Sequence, residues 1–149
     1  MTKIRKATIK DLKPVVELFD QYRVFYEKKS DKEKAEEFIS ERIQLDDSEI
    51  FVAESENGNL VGFIQLYPIY SSTRMKRLWL LNDLFVSKEN RGKGISKKLI
   101  ETSKELCKQT NACGLILETA KTNIIGNKLY SKVGFLLDNE HNYYSWDNN

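Results

Sequence analysis

Apolar positions recur along this chain in two periods, and the switches between them predict its elements. Residues 3–8 alternate Ile4, Lys6 and Thr8 against Arg5 and Ala7, the pattern of a short edge strand. Leu12, Val15, Val16, Phe19, Tyr22 and Tyr26 then recur at spacings of three and four, with Asp11 and Pro14 suited to the first turn of an amphipathic helix. Ser30 or Asp31 caps a second helix whose apolar face is Ala35, Phe38, Ile39 and Ile43. Residues 49–55 and 60–66 read as strands around Asn57-Gly58, a dipeptide that tolerates positive φ at both central positions of a tight hairpin. Leu78 to Val86 is nearly all apolar, which predicts a strand buried on both faces at the centre of a sheet. Ile95, Leu99, Ser103, Leu106 and Cys107 share one helical face, and Leu115 to Leu117 follows as another buried strand. Strand, basic loop, helix and strand make a parallel βαβ unit with a right-handed crossover. A shorter helix spans 125–132 with Gly134 as its stop, and Phe135 to Leu137 and Tyr143 to Trp146 are the expected closing strands.

Composition narrows the classes. The 149 residues, 40% of them apolar, suit one domain over 1–149, and seven glycines with two prolines leave no linker. Apolar runs fall well short of the roughly 18 residues of a membrane span. The opening MTKIRKATIKDLK lacks the apolar core of a secretory signal, so a cytoplasmic location is expected. Cys107 and Cys113, each among apolar residues, read as buried free thiols, and a single histidine, His141, assembles no Cys/His metal set. No G-x-S-x-G elbow is present, so most hydrolase chemistry is poorly supported. Net charge is only +2, too little to favour nucleic acid, but it is uneven. Lys88 to Lys98 carries five bases against Glu89, whereas Glu27 to Glu49 holds nine acids against five bases. One region suits phosphate and the other a cation, although either also reads as a solvated face.

Two places invite a chemical explanation. Asn82 and Asp83 interrupt the buried strand, where a carboxylate and an amide cost several kcal/mol unless paired or open to a cavity. The loop Asn90-Arg91-Gly92-Lys93-Gly94-Ile95-Ser96 joins that strand to its helix, and a helix start offers unpaired N–H groups and partial positive charge to a pyrophosphate. The alternative is an ordinary glycine-rich turn. The Walker pattern is absent, and Lys97 stands where the dinucleotide fingerprint needs glycine. What fits is R-x-x-G-x-[GA], as Arg91, Gly94 and Ser96, following Leu84-Phe85-Val86, with NIIGNKLYSKVGF from Asn123 to Phe135 further on.

Together these motifs resemble the acyl-CoA-binding motifs of the GNAT N-acetyltransferases. The resemblance covers most of the chain and implies that family's mixed α/β sheet fold, with the order β-α-α-β-β-β-α-β-α-β-β. The Tyr22-Arg23-x-Phe25-Tyr26 helix and the LNDLFV strand look like the branch of the fungal histone and polyamine acetyltransferase and the spermidine/spermine acetyltransferases. Ser96 departs from the motif's Gly or Ala and is still small. By resemblance, the backbone of Leu84, Phe85 and Val86 pairs with the pantetheine arm, and the amides of Arg91, Gly92, Lys93, Gly94, Ile95, Ser96 and Lys97 hold the pyrophosphate. The cofactor implied is acetyl-CoA, with no metal. Asn123 matches a position contacting pantetheine, Tyr130 the tyrosine beside the thioester sulfur, and a homodimer is implied.

An alkylammonium with a reference pKa near 10.4 must lose its proton before it attacks a thioester. Asp83 is the first candidate base. Glu118, at the end of the next strand, is a second that acts through water, with Asn82 orienting that water. The N–H of Phe85 is a candidate oxyanion donor and Tyr130 a candidate acid for the departing thiolate. Each has a plainer alternative: Tyr130 as a packing tyrosine, Asp83 as a carboxylate satisfied by its neighbours. Tyr22, Phe25 and Tyr26 lie on successive turns and are candidate walls for a cation, while Arg23 suits a substrate carboxylate. Trp79 and Trp146 read as packing residues and His141 as a surface one. The expected function is acetyl transfer to a primary amine by direct attack in a ternary complex. A polyamine or lysine side chain is favoured by the acidic helices, a free amino acid is the alternative through Arg23, and a non-catalytic acyl-CoA sensor stands as the rival class.

Overall fold

The alternating residues near the amino terminus form β1 (Lys3–Lys6), the first of five strands in the computed structural model, which describes residues 1–149. Two helices follow, α1 (Leu12–Phe25) and α2 (Lys32–Leu45), then β2 (Glu49–Glu54), β3 (Leu60–Ser71) and β4 (Lys76–Val86). A basic turn leads into α3 (Ile95–Gln109) and the short β5 (Leu115–Ile116), and α4 (Ile124–Lys132) is the last regular element. The chain divides into two units, Met1–Glu118 and Thr119–Asn149.

In the first unit the strands lie in chain order, antiparallel throughout except for the parallel β4–β5 pair that α3 connects. Alternation along β3 separates two apolar layers. Phe63 meets Phe19 and Tyr22 of α1 edge-on and joins Val15, Val16, Ala35, Ile39 and Val52 in one buried cluster. Gly62 faces the other way, and a Cβ there would meet Ile95 of α3 at 3.5 Å. Ile95, Leu99, Ile100 and Leu106 are buried on that side. Asp31 caps α2, accepting from the Lys34 N–H at 3.1 Å, which settles the choice between Ser30 and Asp31. No helix is long and apolar enough to cross a membrane.

Several expectations are corrected. The hairpin at Asn57-Gly58 has only Gly58 at positive φ, 81°. The register slips between Ala53 and Glu54, which lengthens the loop, and one left-handed residue then closes it. β3 runs on to Ser71 through Pro68, because beyond Leu66 it has only β4 as a neighbour and a missing N–H is tolerated. β4 is not buried throughout: Leu78, Leu80 and Leu84 are half-buried and Asn82 is exposed, and β5 pairs with the strand only at Trp79 and Leu80. Cys107 and Cys113 are free but half-buried, and Cys107 donates weakly to the Gly114 carbonyl at 3.6 Å.

In the second unit the two closing strands do not form, and Trp146, expected to pack, is 83% exposed. The Asp138 carboxylate instead gathers the Glu140 and His141 N–H groups and the Tyr143 hydroxyl into a local turn between the two expected strands. His141 is exposed, as expected.

One ion pair near the amino terminus carries a pH signature. Arg5 grips both oxygens of the buried Asp11 carboxylate at 2.8 Å and also bonds Glu54 at 2.6 Å, which holds Asp11 well below the usual range, at about 2. A carboxyl depressed by folding stabilises the fold above its unfolded pKa near 3.9, and that contribution fades as pH falls through the folded value. Asp11→Asn is expected to cost on the order of 2 kcal/mol at neutral pH in urea unfolding, with the gap to the parent closing between about pH 4 and 2.

Candidate active site

The position of Asp83 depends on one extra residue in β4. Gln65 pairs with Asp83 while Leu66 pairs with Leu81, leaving Asn82 as a bulge opposite no partner. Trp79 lies towards α3, its indole N–H bonded to Thr110 at 3.0 Å, and strict alternation would send Asp83 and Phe85 to that same side. Instead Phe85 packs against Tyr22 and Phe25 of α1. The bulge therefore turns Asp83 into a cleft between α1 and the sheet, lined by Tyr22, Arg23, Tyr26, Lys28, Tyr67 and Asn82.

Asp83 is only 3% exposed, yet every oxygen has a partner. Gln65 Nε2 donates to Oδ2 at 2.6 Å and Asn82 Nδ2 to Oδ1 at 2.9 Å. The Tyr22 hydroxyl donates to the Asn82 carbonyl at 3.2 Å and also favours the ionised Asp83. Burial outweighs these bonds and raises the Asp83 pKa above that of a free carboxyl. Tyr67 is also pushed up, first by burial and then by the Asp83 charge, so it stays a neutral phenol.

Aromatic side chains wall the cleft as expected. Tyr22 and Tyr26 stand edge to face at 5.0 Å, and Phe25 is half exposed beside them. Arg23 donates to the Lys29 carbonyl at 2.9 Å and lies 3.9 Å from the buried Asp20. Part of the acidic surface of the helices is matched internally, through Lys13–Glu36, Lys32–Glu17 and Arg42–Asp47 pairs.

The glycine-rich loop presents its donors outward. Gly92 and Gly94 take positive φ, 77° and 76°, with open space where a side chain would stand. The amides of Gly92, Lys93, Gly94, Ile95, Ser96 and Lys97 meet no acceptor in the protein, and the first helical bond of α3 is Lys98 N–H to the Gly94 carbonyl. Arg91 differs from expectation. Its amide donates to Lys88, and its guanidinium bonds the Val86 carbonyl at 2.9 Å between the rings of Phe25 and Phe85, each 5.4 Å away. The free run of amides thus starts at Gly92, because Arg91 is fixed as a brace. Beyond Leu80 no strand bonds the β5-side edge of β4, leaving Leu84, Phe85 and Val86 without a partner strand there.

Glu118 is exposed and lines neither main cleft of its unit. In the second unit Asn123 caps α4, accepting from Gly126 N–H at 3.1 Å and donating to Thr119 at 2.9 Å. A Cβ on Gly126 would lie 2.3 Å from Asn123 Nδ2, so the glycine is what lets this cap close. Tyr130 is half-buried with its ring edge-on to Phe135 at 5.8 Å. Ser48, Gln65 and Tyr67 were missed from sequence. Gln65, a polar residue inside the apolar run VGFIQLY, carried the same signal as Asn82 and Asp83.

The model of the acetyltransferase (GNAT) family matches residues 15–135. The chain belongs to the GNAT acetyltransferase family. This GNAT chain is 42% identical over 132 residues to YhfO, an uncharacterized N-acetyltransferase of Bacillus subtilis, covering 89% of this chain and 88% of that one. A crystal structure of a probable acetyltransferase superposes with a TM-score of 0.94 at 32% identity, covering 99% and 98% of the two chains. An aminoglycoside N-acetyltransferase solved with CoA shares the fold at TM-score 0.82 and 20% identity, over 98% and 95% of the chains. The GNAT chain is an acetyl-CoA-dependent N-acetyltransferase. Six open amides at a helix start and an unpaired strand edge fit the pyrophosphate and amide-bearing arm of that cofactor.

Proposed function

We propose that this GNAT enzyme acetylates a small primary amine seated in the cleft between α1 and Asp83, by direct attack and without a covalent acyl-enzyme. The observation carrying this reading is the buried Asp83 carboxylate, turned by the bulge into an aromatic cleft. Burial raises its basicity towards that of an amine, which narrows the gap a proton must cross.

Acetyl-CoA supplies the activated acyl group. The amides of Gly92 to Lys97 and the open edge of β4 hold it. Phe85 pairs with Phe63 in the register of the bonded Ser87 N–H to Val61 carbonyl pair, so its N–H points to β3, and the N–H of Leu84, on the open edge, is the one that faces the charge developing on the acyl oxygen. Asp83 takes the ammonium proton, with Asn82 orienting the amine or a water. Tyr130 returns a proton to the sulfur, a role assigned from its place in the Asn123–Phe135 motif alone. Glu118 is the second candidate base.

Arg23 and Lys28 flank the cleft against the single carboxylate of Asp83. This balance favours an amine that also carries an anionic or neutral group over a polyamine of the spermidine kind. An acceptor panel of a free amino acid, spermidine, a lysine peptide and an aminoglycoside, read by thiol release and product mass, is expected to show turnover greatest with the first. Faster turnover of spermidine overturns the acceptor class, and no thiol release with any amine overturns the assigned cleft.

A further inference from the structure

Ser48 and Gln65 stand outside everything assigned so far. Gln65 is fully buried among Phe63, Ile64 and Leu66, all of them also fully buried, where an apolar side chain would carry no desolvation cost. Ser48, just before β2, is 8% exposed, and its hydroxyl donates to Gln65 Oε1 at 2.9 Å. Gln65 Nε2 then donates to Asp83 Oδ2 at 2.6 Å. An amide can face either way, and the carboxylate decides between the orientations, the serine hydroxyl then donating to whatever oxygen faces it. An ionised carboxylate only accepts, so Nε2 must face it and Oε1 must take the serine proton.

The geometry points to Ser48 and Gln65 as a positioning pair that fixes the direction and basicity of the Asp83 carboxylate, so that the amine's proton arrives on Oδ1. This rests on Asp83 being the base. A proton on Oδ2 would confront the Gln65 N–H groups, and for the amide to reverse, both of its bonds would have to break in the core and the Ser48 hydroxyl turn from donor to acceptor. Oδ1 is bonded to Asn82, whose exposed side chain is free to swing away when the amine enters. In the transfer, the N–H bond of the ammonium breaks, the O–H bond on Oδ1 forms, and the freed nitrogen pair attacks the acyl carbon. The thiolate leaves with the former C–S pair.

The charged and titratable groups lining the cleft with Asp83 are Tyr22 and Arg23 of α1, Tyr26 at its C-cap, Lys28 beyond it and Tyr67 of β3, with Arg42 and Asp47 acting on Tyr67. Ser48→Ala, Ser48→Thr and Gln65→Met keep all of them. The experiment follows the Asp83 carboxyl by carbon NMR across pH in the full chain, assigned with Asp83→Asn. Ser48→Ala and Gln65→Met are expected to titrate at higher pH than the parent, with the ionised-to-protonated ratio at the parent midpoint falling about three- to tenfold. Ser48→Thr, which keeps the hydroxyl, is expected to match the parent. Transfer to the best amine of the panel should fall by up to the same factor on the acid side of the parent's Asp83 midpoint and converge with the parent on the alkaline side of both midpoints. Coincident titration of Ser48→Ala, Gln65→Met and the parent overturns the proposal while leaving Asp83 as base. Full turnover by Asp83→Asn removes the base and the proposal with it. Should Gln65→Met fail to fold, Ser48→Ala, which deletes a single oxygen, decides alone.

Discussion

Asp83→Asn is expected to lower kcat for acetyl transfer by about 10²–10⁴-fold, the usual contribution of a positioned proton acceptor, with the Kd for acetyl-CoA changed by no more than about twofold. The substitution keeps the side-chain shape and an acceptor oxygen for Gln65 Nε2. It removes a buried charge, whose desolvation is the largest influence on Asp83, so thermal stability should hold or rise. A fall in activity without a fall in Tm is therefore a chemical effect. Steady-state kinetics at saturating acetyl-CoA, run beside a melting curve, separate the two. Unchanged kcat would transfer the base role to Glu118, whose exposed carboxylate acts only through water.

Tyr130→Phe is the second large effect, and it discriminates a proton donor from a packing ring. Only the hydroxyl is lost, while the edge-on contact with Phe135 at 5.8 Å survives. A donor to the leaving sulfur should show a kcat loss of about 10²-fold or more with the Kd for acetyl-CoA intact. Pre-steady-state thiol release measures the step directly. A variant with parent-like turnover would make Tyr130 a packing residue of the second unit.

Most of the fold was legible because its elements follow simple periods. The α1 positions Val15, Val16 and Phe19 are buried at the spacing that predicted them, and β2 begins at the expected residue. The loop from Gly92 to Lys97 was legible too, since glycines before an apolar-periodic helix signal exposed amides. What stayed hidden depends on pairing between distant residues. The bulge at Asn82 arises from the register of β4 against β3 and leaves no local mark. Arg91 read as a phosphate ligand because nothing local says that its side chain folds back to the Val86 carbonyl, five residues earlier at the end of β4, between two aromatic rings. The closing strands failed because short apolar stretches such as Phe135 to Leu137 signal burial only if a partner strand exists. Ser48 was missed because a serine before a strand is unremarkable alone, and Gln65, although it breaks an apolar run, acquires its role only through the two side chains it bonds.

The extra residue in β4 also sets how this sequence tolerates length change. Faces alternate along a strand, so with Asn82 excised Leu81 and Asp83 would become neighbours on opposite faces, and Asp83 would stay opposite Gln65 in a regular ladder. What the excision removes is the amide that bonds Asp83 Oδ1 and the carbonyl that accepts from the Tyr22 hydroxyl. A single-codon deletion at this point is thus expected to spare the sheet and to act on the cleft alone, and chains aligned to this one without that residue would keep the carboxylate on the same face.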